Sequence, residues 1–296
     1  RIYNDDWTSV NGGDGFYSLI DPTNPDIIYV ESQGGSTNRL NLRTWERQSI
    51  RPGVGGGGGG FGGFGGGDAG AEALEDSLLL AGGDTTQPLT PERQRTVDSL
   101  RARIAADTAF QTRNRFNWST PFLLSSHNPQ TVYLGGHRVW KSVDRGDEWL
   151  AISEDLSTRD TMKLRVSLTA TGGVTSDITS AETHGTVTTL AESPVRPGII
   201  WAGTDDGNVW LTRNDGVAWE NLTTRFTGVP RATWVTRVEA SSFDSATVYV
   251  TFDGHRNDDF RPYVFVSNDF GRTFRSISAN LPATEYVHVV REHPRR

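Results

Sequence analysis

SVDRGDEW, residues 142–149, sets a serine, an aspartate, a glycine and an aromatic at fixed offsets. Alone, such a stretch reads equally as a catalytic constellation, a metal loop or a turn. The chain answers by repeating it. TRNDGVAW at 212–219 and SNDFGRTF at 267–274 share the pattern Ser/Thr, any, Asp/Asn, any, Gly, any, any, aromatic. The recurring positions are Ser142, Asp144, Gly146 and Trp149; Thr212, Asn214, Gly216 and Trp219; Ser267, Asp269, Gly271 and Phe274. A catalytic group is not expected once per repeat. An aspartate accepts backbone N–H groups across a turn, a hydroxyl adds a local bond, and glycine permits positive φ. The aromatic then opens the next strand. The repeated stretch therefore reads as a turn staple.

The flanks repeat as well. Upstream lie TVYLGG (131–136), IIWAGT (199–204) and TVYVTF (247–252). Short alternating segments enter each turn, RVWKS, NVWLT and YVFVS, and others leave it, WLAIS, WENLT and FRSIS. Period-two alternation between turn signals marks short half-buried strands. An earlier unit, FYSLIDPTNPDIIYVESQGG (16–35), is followed by NRLNLRTWERQSI (38–50), which keeps the strand pair without the Asp and Gly. The anchor aromatics Tyr29, Tyr133, Trp201 and Tyr249 recur 104, 68 and 48 residues apart. The last spacing is near the roughly 40–50 residues of a propeller blade, and the longer ones imply insertions. The expected fold is all-β, a β-propeller of four-stranded blades with about four visible, incomplete, and carrying one Gly-rich and helical insertion.

That insertion covers 51–114. It contains GVGGGGGGFGGFGGG (53–67), a low-complexity run, then AEALEDSLLLAGG (71–83). In TPERQRTVDSLRARIAADTAF (90–110), Thr90 reads as an N-cap and Pro91 as the first helical residue. Val97, Leu100 and Ile104 fall on one face of that helix. A second insertion covers about 158–184. The expected divisions are 1–50 (the end of one blade plus a degenerate one), 51–114 (insertion), 115–157 (blade), 158–224 (insertion plus blade), 225–281 (blade) and 282–296 (the start of another).

Composition narrows the function. The 296 residues carry a net charge of −7, which disfavours a nucleic-acid partner because phosphate binding needs a basic face. There is no cysteine, so disulfides, thiolate catalysis and Cys-ligated metals are excluded. No apolar run approaches the roughly 18 residues of a membrane span. The chain begins at Arg1 and its one methionine is Met162, which leads us to expect processing or a piece of a longer polypeptide.

The pattern resembles the Asp-box, or BNR repeat, of sialidase-like and sortilin-type β-propellers. It is nearest to large secreted bacterial BNR-repeat, glycosyl-hydrolase-like proteins, and more distantly similar to the propellers of photosystem assembly factors. The resemblance rests on 12–35, 115–149, 190–216 and 252–274, which leave aside the 51–114 insertion. It implies that the first residues leave one blade and that EYVHVVREHPRR (285–296) begins another. A sialidase of this kind uses an arginine cluster, a Tyr nucleophile with a Glu, and an Asp acid/base, with a Phe/Tyr-Arg-Ile-Pro string as its hallmark. Here the nearest string is Phe260-Arg261-Pro262, which lacks the Ile and lies in the last full blade. Arg165 and Arg291 are the arginines that such a cluster would have to recruit.

Other candidates are weaker. Asp253, Asp258 and Asp259, with His255 nearby, offer calcium-type oxygen ligands without EF-hand spacing, and a solvated polar loop is the expected reading. TDDGN (204–208) reads as a hairpin turn. Asn117 and Asn221 open glycosylation sequons. Trp140, Trp149, Trp201, Trp210 and Trp219 sit at repeat positions and are expected to pack sheets rather than stack sugars. No catalytic set and no cofactor site is read. The expectation is an exported protein, periplasmic or extracellular in a bacterium, acting as a scaffold or interaction subunit. It would dock on protein partners through open blade edges or the 51–114 insertion, possible hosts including a photosynthetic membrane complex. The alternative is a glycan-binding or sialidase-like glycoside-hydrolase propeller.

Overall fold

A computed structural model describes residues 3, 7–53, 90–106, 114–164, 177–179, 181 and 183–294. The Gly-rich run, the 71–83 segment and Arg165 lie outside the described residues, Gly53 excepted. Two compact units emerge. One joins 1–58, 116–159 and 185–296, and the other joins 59–115 and 160–184.

The first unit is all-β and has the four-stranded blades of a propeller. Its four sheets each run in chain order, antiparallel throughout. The first holds β1 (Ser18–Ile20), β2 (Ile27–Ser32), β3 (Ser36–Asn41) and β4 (Arg47–Ser49). The second holds β5 (Phe122–Leu124), β6 (Val132–Gly135), β7 (Val139–Ser142) and β8 (Leu150–Ala151). The third holds β9 (Val187–Glu192), β10 (Ile200–Thr204), β11 (Val209–Thr212) and β12 (Trp219–Asn221). The fourth holds β13 (Trp234–Ala240), β14 (Val248–Gly254), β15 (Asp259–Ser267) and β16 (Arg275–Ser276). The sheets do not close into a ring.

Apolar residues of neighbouring sheets interdigitate, as face-packed sheets must to bury their inner faces. Tyr29 and Ile50 of the first sheet meet Phe122, Val132 and Leu134 of the second. Tyr133, Val139 and Ile152 of the second meet Leu190, Ile200 and Ala202 of the third. Trp201, Leu211 and Leu222 of the third meet Val235, Val250, Phe252 and Phe265 of the fourth. Three anchor aromatics, Tyr29, Tyr133 and Trp201, are buried, and each such side chain contributes about 1.5–3 kcal/mol by leaving water. The second strand of each sheet is the most buried.

The second unit contains α1 (Pro91–Ala106) and the single turn α2 (Thr161–Leu164). Thr90 caps α1, its hydroxyl accepting the Arg93 N–H at 3.4 Å and its carbonyl the Gln94 N–H at 2.9 Å. Val97, on the face its spacing assigns, is buried.

Two glycines of the repeated turn do more than bend the chain. Gly146 and Gly216 take φ of 94° and 90°, where a side chain is strained. A Cβ on Gly146 would meet Ile50 at 2.8 Å, and one on Gly216 would meet the Ile152 carbonyl oxygen at 2.6 Å. Both contacts lie on the preceding sheet. Gly216→Ala is therefore expected to destabilise the protein by about 1–3 kcal/mol, read by denaturant unfolding. Gly15→Ala, with open space around it, should be near neutral; equal effects would contradict the close-approach argument.

Candidate functional site

The repeated turns are closed on themselves. The Ser142 hydroxyl bonds Asp144 at 2.6 Å and accepts the Gly146 N–H at 2.7 Å, while Asp144 accepts the Glu148 N–H at 3.0 Å. Thr212 and Asn214 make the same set with Gly216 and Ala218. Ser267 and Asp269 make it with Gly271 and Thr273. The hydrogen bond from Thr273, followed by others in the turn, lowers the Asp269 pKa to about 2 despite partial desolvation. Each turn also fastens to its own sheet, where Arg145, Asp215 and Phe270, all at positive φ, donate their N–H groups to Gln130, Gly198 and Ala246. Two turns reach backwards as well. The Trp149 indole donates to the Ile50 carbonyl at 2.6 Å, and the Trp219 indole to the Ile152 carbonyl at 2.7 Å. Phe274 packs with Phe226, 4.0 Å between ring centres.

Ion pairs follow the same seams. Arg145 meets the buried Asp21 at 2.8 Å, and Lys141 meets Asp215 at 2.5 Å. Burial pushes the Asp21 pKa up, but hydrogen bonds from Thr23 and Arg145 outweigh it and leave the group below its ordinary value.

The strand ends opposite the repeated turns hold the groups that the sequence reading passed over. TDDGN is a turn, but its two aspartates are buried. Asp205 accepts bonds from the Gly185 and Thr186 N–H groups and the Thr186 hydroxyl, and Asp206 from the N–H and hydroxyl of Thr158. Burial, then the neighbouring Asp206 charge, raises Asp205 to about 8. Asn117 is buried and donates to Thr186 at 3.0 Å, so it is closed to a glycan, unlike the exposed Asn221. Glu31 is buried against Thr120, which donates one N–H at 3.3 Å; its second oxygen has no hydrogen-bond partner. Burial raises Glu31 to about 8. No periodicity marks a polar residue such as Glu31 on an otherwise apolar strand as buried.

Near Glu31, the Tyr17 hydroxyl is raised by burial, with Arg237 and Arg291 opposing and Glu31 reinforcing the shift. The Arg237 Nε is buried without a partner, and Arg291 pairs with Glu239. Of the two arginines named from sequence, Arg291 thus falls beside a tyrosine and a carboxyl. Phe260, Arg261 and Pro262 lie on β15, where Arg261 is held by Asp259 at 2.7 Å.

Two of the calcium candidates have partners of their own. Asp253 is buried, with one oxygen 2.6 Å from His255 Nδ1 and the other 3.7 Å from His288 Nδ1. Asp259 is held well below the carboxylate range by Arg261, then Tyr263. Asp258 takes a left-handed backbone and lines an open cleft of about 400 Å³ with Asp259 and Arg261. Among the described residues, no group of three or more His, Asp or Glu has the arrangement of a metal site. Around these loops an aromatic surface forms. His255 stacks on Tyr286 at 4.8 Å, Phe260 lies 6.4 Å from Tyr286, and Arg256 covers Trp234 at 4.0 Å.

No known protein family's profile matches the sequence, and no curated protein matches it. Among solved structures, a GH74 xyloglucanase from Xanthomonas campestris is similar at 14% identity, over 94% of this chain and 32% of that one, with a TM-score of 0.47. An auxiliary nutrient-binding protein from Bacteroides thetaiotaomicron gives 7% identity, 86% and 38% coverage and 0.40. YCF48 bound to D1 peptide gives 8%, 93%, 86% and 0.33. The chain spans about a third of the length of the GH74 enzymes.

The Glu31 carboxyl yields a pH prediction. Its folded pKa lies above its unfolded value, so the folded state holds a proton that the unfolded state releases. Its stabilisation is complete below about pH 4 and is lost as pH rises towards about 8. The Tm of the Glu31→Gln variant should fall less between pH 5 and 8 than that of the parent, and parallel curves would refute the assignment.

Proposed function

We propose that this chain is a propeller scaffold of the Asp-box type, exported to the periplasm or cell exterior, whose work is to bind other proteins. One observation carries this reading, the aromatic and arginine surface on the fourth sheet. Phe260 and Tyr286 are 45% and 42% exposed, although large apolar side chains gain from burial. Tyrosine, tryptophan and arginine brought together on a rim of polar groups is the composition of interface hot spots. The repeated turns serve the scaffold, with their polar groups spent inside and between sheets. Among the described residues no helix is long and apolar enough to cross a membrane. A photosynthetic complex is one host, proposed from the sequence resemblance alone.

A second reading has its own support. Tyr17, Glu31, Arg237 and Arg291 share one electrostatic neighbourhood, a composition suited to an anionic sugar. Under it, Arg237→Ala would abolish saturation-transfer NMR contacts to a sialic acid and leave partner binding intact.

The scaffold reading is tested by cross-linking mass spectrometry in the source cells. Stoichiometric cross-links to a protein partner are expected, and Phe260→Ala with Tyr286→Ala should reduce them at least tenfold. A protein without cross-links, or one whose cross-links ignore the double substitution, would overturn it.

A further inference from the structure

Arg145 and Asp215 hold the same place in successive copies of the repeated turn, at φ of 65° and 58°. Their side chains do different things. In the seam between the first and second sheets, Arg145 reaches back to the turn that follows β1. Its Nε donates to the buried Asp21 at 2.8 Å, and its guanidinium also donates to the Thr23 hydroxyl at 3.3 Å. In the next seam Asp215 is too short for that reach and stops at Lys141, 2.5 Å away. The turn that follows β5 borders an open cleft of about 400 Å³ instead, whose lining includes Ser125, His127, Tyr133, Lys141, Glu192 and Asp215. Each wall of the cleft is a sheet with a further sheet packed on its other face.

The cleft holds acceptors like those that the guanidinium meets one seam earlier. Asp21 and Ser125 are the first residues after their innermost strands, and each donates its N–H to the entry of the next strand, Asp21 to Ile27 and Ser125 to Thr131, both at 2.9 Å. Asp21 brings its own carboxylate, whereas Ser125 has that of Glu192 from the third sheet. Glu192 accepts the Ser125 hydroxyl at 3.0 Å, the Ser126 N–H at 2.9 Å and the Tyr133 hydroxyl at 3.1 Å. Three donors leave a carboxylate room for a fourth, and the Asp215 side chain is 48% exposed. The cations at the cleft are already engaged, Lys141 by Asp215 and Arg213 by Glu220 at 3.5 Å.

On the scaffold reading above, we propose that this cleft is the docking site for an arginine side chain of a partner protein. The guanidinium stands between the second and third sheets as that of Arg145 stands between the first and second. It meets the remaining lone pair of Glu192 and the carboxylate of Asp215, and its aliphatic stem passes Val143, which is 60% exposed at the cleft. A lysine fits less well, because its ammonium lacks the planar fork of donors that can span two carboxylates.

The probe is N-acetyl-arginine amide, added to the intact chain and followed by NMR. Saturable binding is expected, with shifts at the Ser126, His127 and Gly198 amides, and N-acetyl-lysine amide should bind at least fivefold more weakly. Glu192→Gln should weaken binding at least tenfold. Asp215→Arg places in this seam the residue that already stands at 145 on a similar backbone, so it should fill the cleft, abolish binding and reduce the partner cross-links. Val217→Ala, at a side chain 85% exposed and outside the cleft lining, should leave binding unchanged. Absence of binding, as would follow from a cleft filled by another part of the chain, equal affinity for the lysine probe, or binding that survives Asp215→Arg would overturn the inference. Any of these, with cross-links that still depend on Phe260 and Tyr286, would leave the scaffold reading standing. Binding of the probe by a protein that cross-links to no partner would overturn both.

Discussion

In the second and third sheets an indole at the start of the outermost strand donates its N–H to the last carbonyl of the sheet before it. Trp149 does this to Ile50, and Trp219 to Ile152. The glycine three residues earlier comes against the same residue of the preceding sheet, so close that a methyl group would collide. Much else depends on this backward reach. It requires a left-handed backbone at the turn and a hydroxyl and a carboxylate or amide to close it. It also sets the distance at which the apolar faces of successive sheets meet. A turn that served only its own hairpin would need no such approach.

The same constraint explains where charge is placed. Seams between sheets close from one end by turns and from the other by buried polar residues. Asp205 binds the segment that leads into the third sheet and Asp206 the one that leads out of the second, and Glu31 binds the entry to the second. Buried polar groups are costly unless bonded. Asp205 meets that condition with three donors, whereas Glu31 meets it for one oxygen only. The segment at 286–292 extends the logic by one step. Its Glu292 closes the fourth sheet as Glu192 closes the second.

Most of the fold can be read from the sequence because its determinants are local and repeated. The alternation around Tyr29, Tyr133, Trp201 and Tyr249 marks strands, and the spacing of Ser142, Asp144 and Gly146 marks a turn. The capping of α1 by Thr90 is local in the same way. What escaped the sequence lies between repeats. TDDGN looks like a solvated hairpin because nothing nearby reveals that Thr186 and Thr158 will arrive from another stretch of chain. Asn117 looks like a glycan acceptor for the same reason. The loop that holds Asp253 and Asp259 reads as solvated and polar, and nothing nearby reveals that Asp253 is buried against His255 and His288 and that Arg261 holds Asp259. The arginines were legible as residues but not as a neighbourhood, since Tyr17 and Arg237 are brought near each other only by the arrangement of sheets.

If the backward indole bond and the close glycine contact couple the sheets, loosening one turn must be felt in the sheet before it. Native-state hydrogen exchange on a Trp219→Phe variant, which loses the indole donor and keeps the aromatic ring, measures this directly. The account predicts that amides of β6 and β7 in the second sheet lose protection together with those of β10 and β11. Loss confined to the third sheet would contradict it and reduce the repeated turn to a local hairpin staple.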